Sequence, residues 1–169
     1  APEGLDAGWA NSGGRDVALT DAILEQIQGD LCIDTTRIFA TGFSYGAGMS
    51  YALACARADV FRGVVLYAGA QLSGCDGGNT PIAYMHVHGV NDSVLNISSG
   101  RQLRDHYVDV NGCTPQNPTD PAGNSGTHTC TAGHTPSHNP SEEMTSGSWW
   151  LETMRRIRSN SISRPSAAT

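Results

Sequence analysis

The chain has 169 residues, enough for one domain, and 38% of them are hydrophobic, enough to build a core. Its net charge of −6, with every positive charge an arginine and no lysine, argues against nucleic acid as a partner. No apolar run approaches the ~20 residues of a membrane span, so no membrane partner is expected.

The chain starts Ala1-Pro2-Glu3 and reads as a processed or truncated product. Residues 1–14 form a Gly-rich loop carrying Trp9. The spacing of Leu19, Ala22, Ile23 and Ile27, interrupted by polar Gln26, predicts an amphipathic helix over 15–29. A short strand is expected at 37–42, then a helix from 45 to about 57. The apolar run 62–68 has the character of a strand buried on both faces, and 82–88 reads as another strand. Residues 99–110 look helical, with Leu103, Tyr107 and Val110 on one face. A long polar stretch, 112–147, shows no periodic segment, which is unusual inside a compact domain. A last helix is expected from about 149 to 157. Residues 1–158 are thus read as a single, partial domain and 159–169 as a disordered tail. Alternation of strand and helix predicts an α/β fold with a parallel sheet and helices on both faces.

Residues 38–48 carry the chemistry. An apolar strand runs into Gly42-Phe43-Ser44-Tyr45-Gly46, followed by the small residues Ala47 and Gly48. Gly-x-Ser-x-Gly at a strand-to-helix turn is a nucleophile elbow, with Ser44 at its tip. A serine there needs a strained backbone with positive φ. Gly42 and Gly46 are expected to flank it because side chains would collide as the chain doubles back. The turn also places the Tyr45 N–H at a helix N-terminus, where it can donate to a developing oxyanion. The bland alternative is an ordinary helix capped by a serine.

A serine hydroxyl needs an imidazole to take its proton and a carboxylate to orient that imidazole. On this fold the order along the chain is serine, acid, histidine. Asp92 closes His88-Gly89-Val90-Asn91-Asp92, just past strand 82–88, at the end of the sheet where open α/β folds bind ligands. Its competing role is to cap the next segment. For the base, chain order admits His128, His134 and His138; a turn between Gly133 and Pro136 favours His134. His106 falls within a predicted helix and is expected on the surface. His86 and His88 precede the acid and read as strand-end histidines near the site. No metal or organic cofactor is implied, and the cysteines lack metal-type spacing. Trp9, Tyr45 and Leu95 are candidates to line an acyl pocket, with core packing the alternative for each.

These residues resemble a known family. The stretch Asp30-Leu31-Cys32-Ile33-Asp34-Thr35-Thr36-Arg37-Ile38-Phe39, the elbow, Ala54-Cys55-Ala56-Arg57, the segment from Gly69 to Gly78 and His88-Gly89-Val90-Asn91-Asp92-Ser93-Val94-Leu95 look like fungal-type feruloyl esterases. These are carbohydrate esterases related to acetylxylan esterases and polyhydroxybutyrate depolymerases. The match covers roughly 8–114. It implies a three-layer α/β-hydrolase fold with Ser44 as nucleophile, Asp92 as triad acid and His134 as base. It also implies a secreted, extracellular enzyme acting on feruloylated arabinoxylan or another cell-wall polysaccharide ester.

Two departures from the family shape further expectations. Relatives carry strands before the helix at 15–29, and an apolar strand before the catalytic histidine. About three strands are recognisable here, with both edges bare. The chain is therefore expected to be a fragment or an atypical relative, less stable than a complete hydrolase. A non-catalytic remnant that binds polysaccharide is the reading from another class. Of the five cysteines, Cys32 and Cys55 should lie at the end of the sheet away from Ser44, and a bridge between them is expected. A second bridge is expected between Cys113 and Cys130, leaving Cys75 alone. Abundant cysteine fits an oxidising compartment.

Overall fold

The computed structural model describes residues 3–4 and 8–114. His134, Cys130 and the helix expected near 149–157 lie outside the described residues, as do the other downstream histidines His128 and His138. Three strands, β1 (Phe39–Phe43), β2 (Gly63–Tyr67) and β3 (Ala83–Val87), and three helices, α1 (Arg15–Asp30), α2 (Tyr45–Ala56) and α3 (Ile97–Val110), follow each other along the chain. The strands form a parallel sheet in the order β1-β2-β3. Phe43, Tyr67 and Val87 share one cross-strand row at its C-terminal rim. The structure thus has the α/β architecture of a hydrolase sheet. Among the described residues no helix is long and apolar enough to cross a membrane.

Strand alternation separates two faces. Val64 and Leu66 are fully buried on the face that receives α2 and α3. Burying each of them contributes roughly 1.5–3 kcal/mol. On the opposite face Phe43 is 72% exposed, with Tyr67 and Val87 also accessible. The apolar run at β2 is therefore buried on one face and more open on the other among the described residues.

Helix α2 sits at the centre, and every residue from Ala47 to Cys55 is buried. Its small side chains explain how neighbours come so close. A Cβ on Gly48 would lie 2.9 Å from the Leu72 Cβ, and one on Gly69 would lie 2.8 Å from the Ala47 Cβ. The chain after β2 consequently runs down α2 toward its C-terminal end. There the Gly78 N–H donates to the Cys55 carbonyl at 3.0 Å, and Cys55 is bridged to Cys75. This corrects the expected Cys32–Cys55 pair: Cys32 is a free, exposed thiol and Cys75 is not alone. The close packing along α2 carries Cys75 back to Cys55, and linear spacing gives no sign of it. Cys113 is disulfide-bonded.

Helix α1 meets α2 through a different stripe from the one its periodicity predicts. Val17 is buried and Leu24 packs against the core, while Ala22 and Ile27 are exposed. Asp21 lies on the packed side and takes a forked ion pair from Arg57 at 2.6–3.2 Å. A charged residue in the contact stripe hid it from a purely apolar count. The start of α1 is tied down by Asn11. Its side-chain Oδ1 accepts from the N–H groups of Asp16 and Val17, both at 3.1 Å. On α3, Leu103 and Tyr107 are buried and Val110 packs beside them, as predicted.

Candidate active site

Ser44 occupies the junction of β1 and α2 with φ 54° and ψ −116°. A non-glycine residue holds this conformation only when its surroundings enforce it. They do so here on both sides. The Ser44 N–H donates to the Tyr67 carbonyl at 3.0 Å, and the Ser44 carbonyl accepts from Gly48 at 3.0 Å. A Cβ on Gly42 would lie 2.2 Å from the Gly46 carbonyl carbon, so only glycine allows the strand and helix to approach. Gly46 differs from expectation: a Cβ there meets nothing within 4 Å. The crowding falls on the strand side alone.

Tyr45 is the first residue of α2, so its N–H precedes the helical hydrogen-bond ladder and is placed to serve an anion. Tyr45 is 40% exposed, and its ring rests on Gly8, where a Cβ would lie 2.6 Å from the Tyr45 Cγ. The neighbouring Trp9 is half-buried against the core, and its carbonyl accepts from the Ser73 hydroxyl. Trp9 is thus a packed residue beside the elbow segment.

Asp92 follows β3 on the loop leading to α3. Because the three strands are parallel and adjacent, the loops after β1 and β3 emerge at one rim, two strand spacings or about 10 Å apart. Ser44 and Asp92 belong to these two loops. The Asp92 Oδ1 accepts from the N–H groups of Val94 at 2.8 Å and Leu95 at 2.9 Å. These bonds, Leu95 first, hold its carboxyl below the usual carboxylate range. The capping role proposed from sequence is present: Oδ1 caps the turn, while Oδ2 is left without a hydrogen bond among the described residues. Leu95 belongs to the acid loop itself, half-buried.

Sequence reasoning passed over the connection between the acid loop and two histidines. His88 Nε2 lies 2.8 Å from the Leu95 carbonyl and 3.7 Å from Asp92 Oδ2. Its Nδ1 is 3.2 Å from His86 Nε2, and His86 Nδ1 is 3.1 Å from the Tyr84 hydroxyl. Burial pushes the His86 pKa down to about 4, with the adjacent His88 adding to the effect. The spacing His-x-His, which sets alternate side chains on one face of an extended chain, was the available signal. His106 is also not a free surface residue: its Nε2 is 2.8 Å from the Gly78 carbonyl and its ring packs edge-on against Tyr107.

A family model described as phospholipase/carboxylesterase matches residues 15–125, a span that includes the elbow and the acid loop. The chain belongs to that family. Among its relatives is feruloyl esterase C of Emericella nidulans, 57% identical over 126 residues, covering 75% of this chain and 47% of that protein. Feruloyl esterase D of Neurospora crassa is 50% identical over 154 residues, covering 83% of this chain and 53% of that protein. A bifunctional acetylxylan esterase/xylanase of Neocallimastix patriciarum is 29% identical over 108 residues, 64% of this chain and 16% of that protein. The chain spans about half the length of the two feruloyl esterases it matches.

Proposed function

We propose that this phospholipase/carboxylesterase relative is a serine esterase that hydrolyses feruloyl esters of plant cell-wall polysaccharide. The observation that carries the reading is Ser44, a non-glycine residue at φ 54° between β1 and α2, on the rim that also bears Asp92. Similarity to feruloyl esterases supports the acyl group.

In this reading Ser44 Oγ attacks the ester carbonyl as its proton passes to His134. The oxyanion is met by the Tyr45 N–H. Collapse of the tetrahedral adduct breaks the bond to the sugar oxygen, which takes the proton from His134. Water then attacks the acyl-enzyme by the same route and restores Ser44. Asp92 orients the imidazole and stabilises its charged form. Feruloylated arabinoxylan fits as the polysaccharide. An extracellular setting is supported by the Cys55–Cys75 bridge and by Cys113, also disulfide-bonded.

The similarity to an acetylxylan esterase/xylanase favours one rival, deacetylation of xylan. Comparing kcat/KM on methyl ferulate and p-nitrophenyl acetate separates the two. A preference for methyl ferulate supports the feruloyl reading. Hydrolysis confined to the acetyl ester overturns it.

A further inference from the structure

We propose that His88 is a positioning residue for the acid loop: its ring pins the Leu95 carbonyl and thereby holds Asp92 with Oδ2 clear of the loop's own hydrogen bonds. The inference rests on Asp92 being the triad acid, as argued above.

The direction of the key bond is fixed by chemistry. A carbonyl can only accept, so His88 Nε2 carries a proton and donates it to Leu95 at 2.8 Å. Leu95 is therefore held twice, by its carbonyl to His88 and by its N–H to Asp92 Oδ1. The His88 side chain is only 5% exposed, against 19% for Asp92. The ring is the more deeply buried of the two. Asp92 Oδ2 sits 3.7 Å from His88 Nε2, too far for a hydrogen bond, so His88 steers that oxygen without occupying it.

The ring itself cannot swing away. His86 abuts it at Nδ1, and the Gly100 backbone of α3 packs against the same edge, while Nε2 at the other end is held by Leu95. A Cβ on Gly100 would lie 2.5 Å from His88 Nδ1 and 3.0 Å from His86 Cε1. The titratable and charged groups around the pair are His86 and Tyr84 on β3, Asp92 on the loop and Arg104 on α3. Burial, with His88 adding to it, lowers the His86 pKa to about 4 and so favours the neutral ring beside His88.

The test uses the full chain as wild type, His88→Ala, His88→Gln, Gly100→Ala and Asp92→Asn. Amide exchange at Val94 and Leu95 reports the loop directly, and kcat, KM and the acid limb of kcat/KM on methyl ferulate report the site. His88→Ala should speed exchange at Val94 and Leu95 by about tenfold or more. It should lower kcat by about 10²-fold, the scale of a misplaced catalytic group. The loss should fall on kcat more than on KM, as expected when a catalytic group is misplaced. The acid limb should move to lower pH, since a displaced carboxylate no longer favours the imidazolium. His88→Gln, whose amide can still donate to Leu95, should recover most of both effects. Gly100→Ala should reproduce His88→Ala while keeping His88 in the chain. Unchanged exchange at Val94 and Leu95 in His88→Ala overturns the proposal, as does an unmoved acid limb beside a damaging Asp92→Asn. Wild-type kcat in Asp92→Asn instead overturns the triad assignment, and the exchange measurement still decides whether His88 holds the loop.

Discussion

The Ser44 N–H donates to the Tyr67 carbonyl at 3.0 Å, so the β1–β2 pairing continues one residue past the end of β1. The turn at Ser44 is therefore tied to the sheet on its strand side, where Ser44 holds a φ of 54°. Ser44 stands at the N-terminal boundary of α2 without its side chain capping the helix.

The crowding at the turn makes a paired prediction. Gly42→Ala should destabilise the fold by about 3 kcal/mol, because its methyl meets backbone atoms that cannot move aside. Gly46→Ala should change stability by less than about 1 kcal/mol, on the stabilising side, as expected for alanine in a helix with open space around it. Urea unfolding of both variants checks this, and equal losses would remove the strand-side account of the turn.

Asp92 should separate charge from loop geometry. Asn in its place keeps an oxygen for the Val94 and Leu95 N–H groups but loses the negative charge. Asp92→Asn should fold normally and lose about 10³–10⁴ in kcat. Asp92→Ala should lose activity and also loosen the loop, seen as faster amide exchange at Val94.

The same carboxylate sets a pH direction. Its folded pKa is depressed by the Leu95 and Val94 N–H groups. Its contribution to stability is thus fully present above the unfolded value of about 3.9 and is lost as pH falls through the folded value. Between pH 5 and 8 Asp92 stays ionised, so unfolding free energies of wild type and Asp92→Asn should run parallel there and converge below about pH 4.

Much of this was legible in the sequence. Each expected strand is present within two residues at either end, because short apolar runs bounded by Gly, Asp and Pro leave little room for error. Ser44 stood out because its motif and its strand-to-helix setting agreed. The Cys55–Cys75 bridge was not legible, since it depends on the path of the 69–78 segment along Ala47 and Gly48. The contact stripe of α1 was misread because Asp21 is packed only with Arg57 as its partner. The His86–His88 pair was visible as a pattern, but its link to Leu95 exists only once the loop has folded.

The bridge gives a further expectation. Cys55 and Cys75 are 20 residues apart, so removing the bridge by Cys75→Ser should cost about 3 kcal/mol on loop-entropy grounds. Cys32→Ser should cost almost nothing, as an exposed thiol. Thermal melts without reductant check both, and a larger loss from Cys32→Ser would contradict the pairing.

The most direct measurement is covalent labelling of the full chain with a fluorophosphonate, followed by peptide mapping. One adduct on Ser44, absent in Ser44→Ala and strongly slowed in Asp92→Asn, is the expected result. Labelling that persists in Ser44→Ala, or no adduct on Ser44 while a known serine esterase reacts alongside, would show that this turn does not present an activated nucleophile.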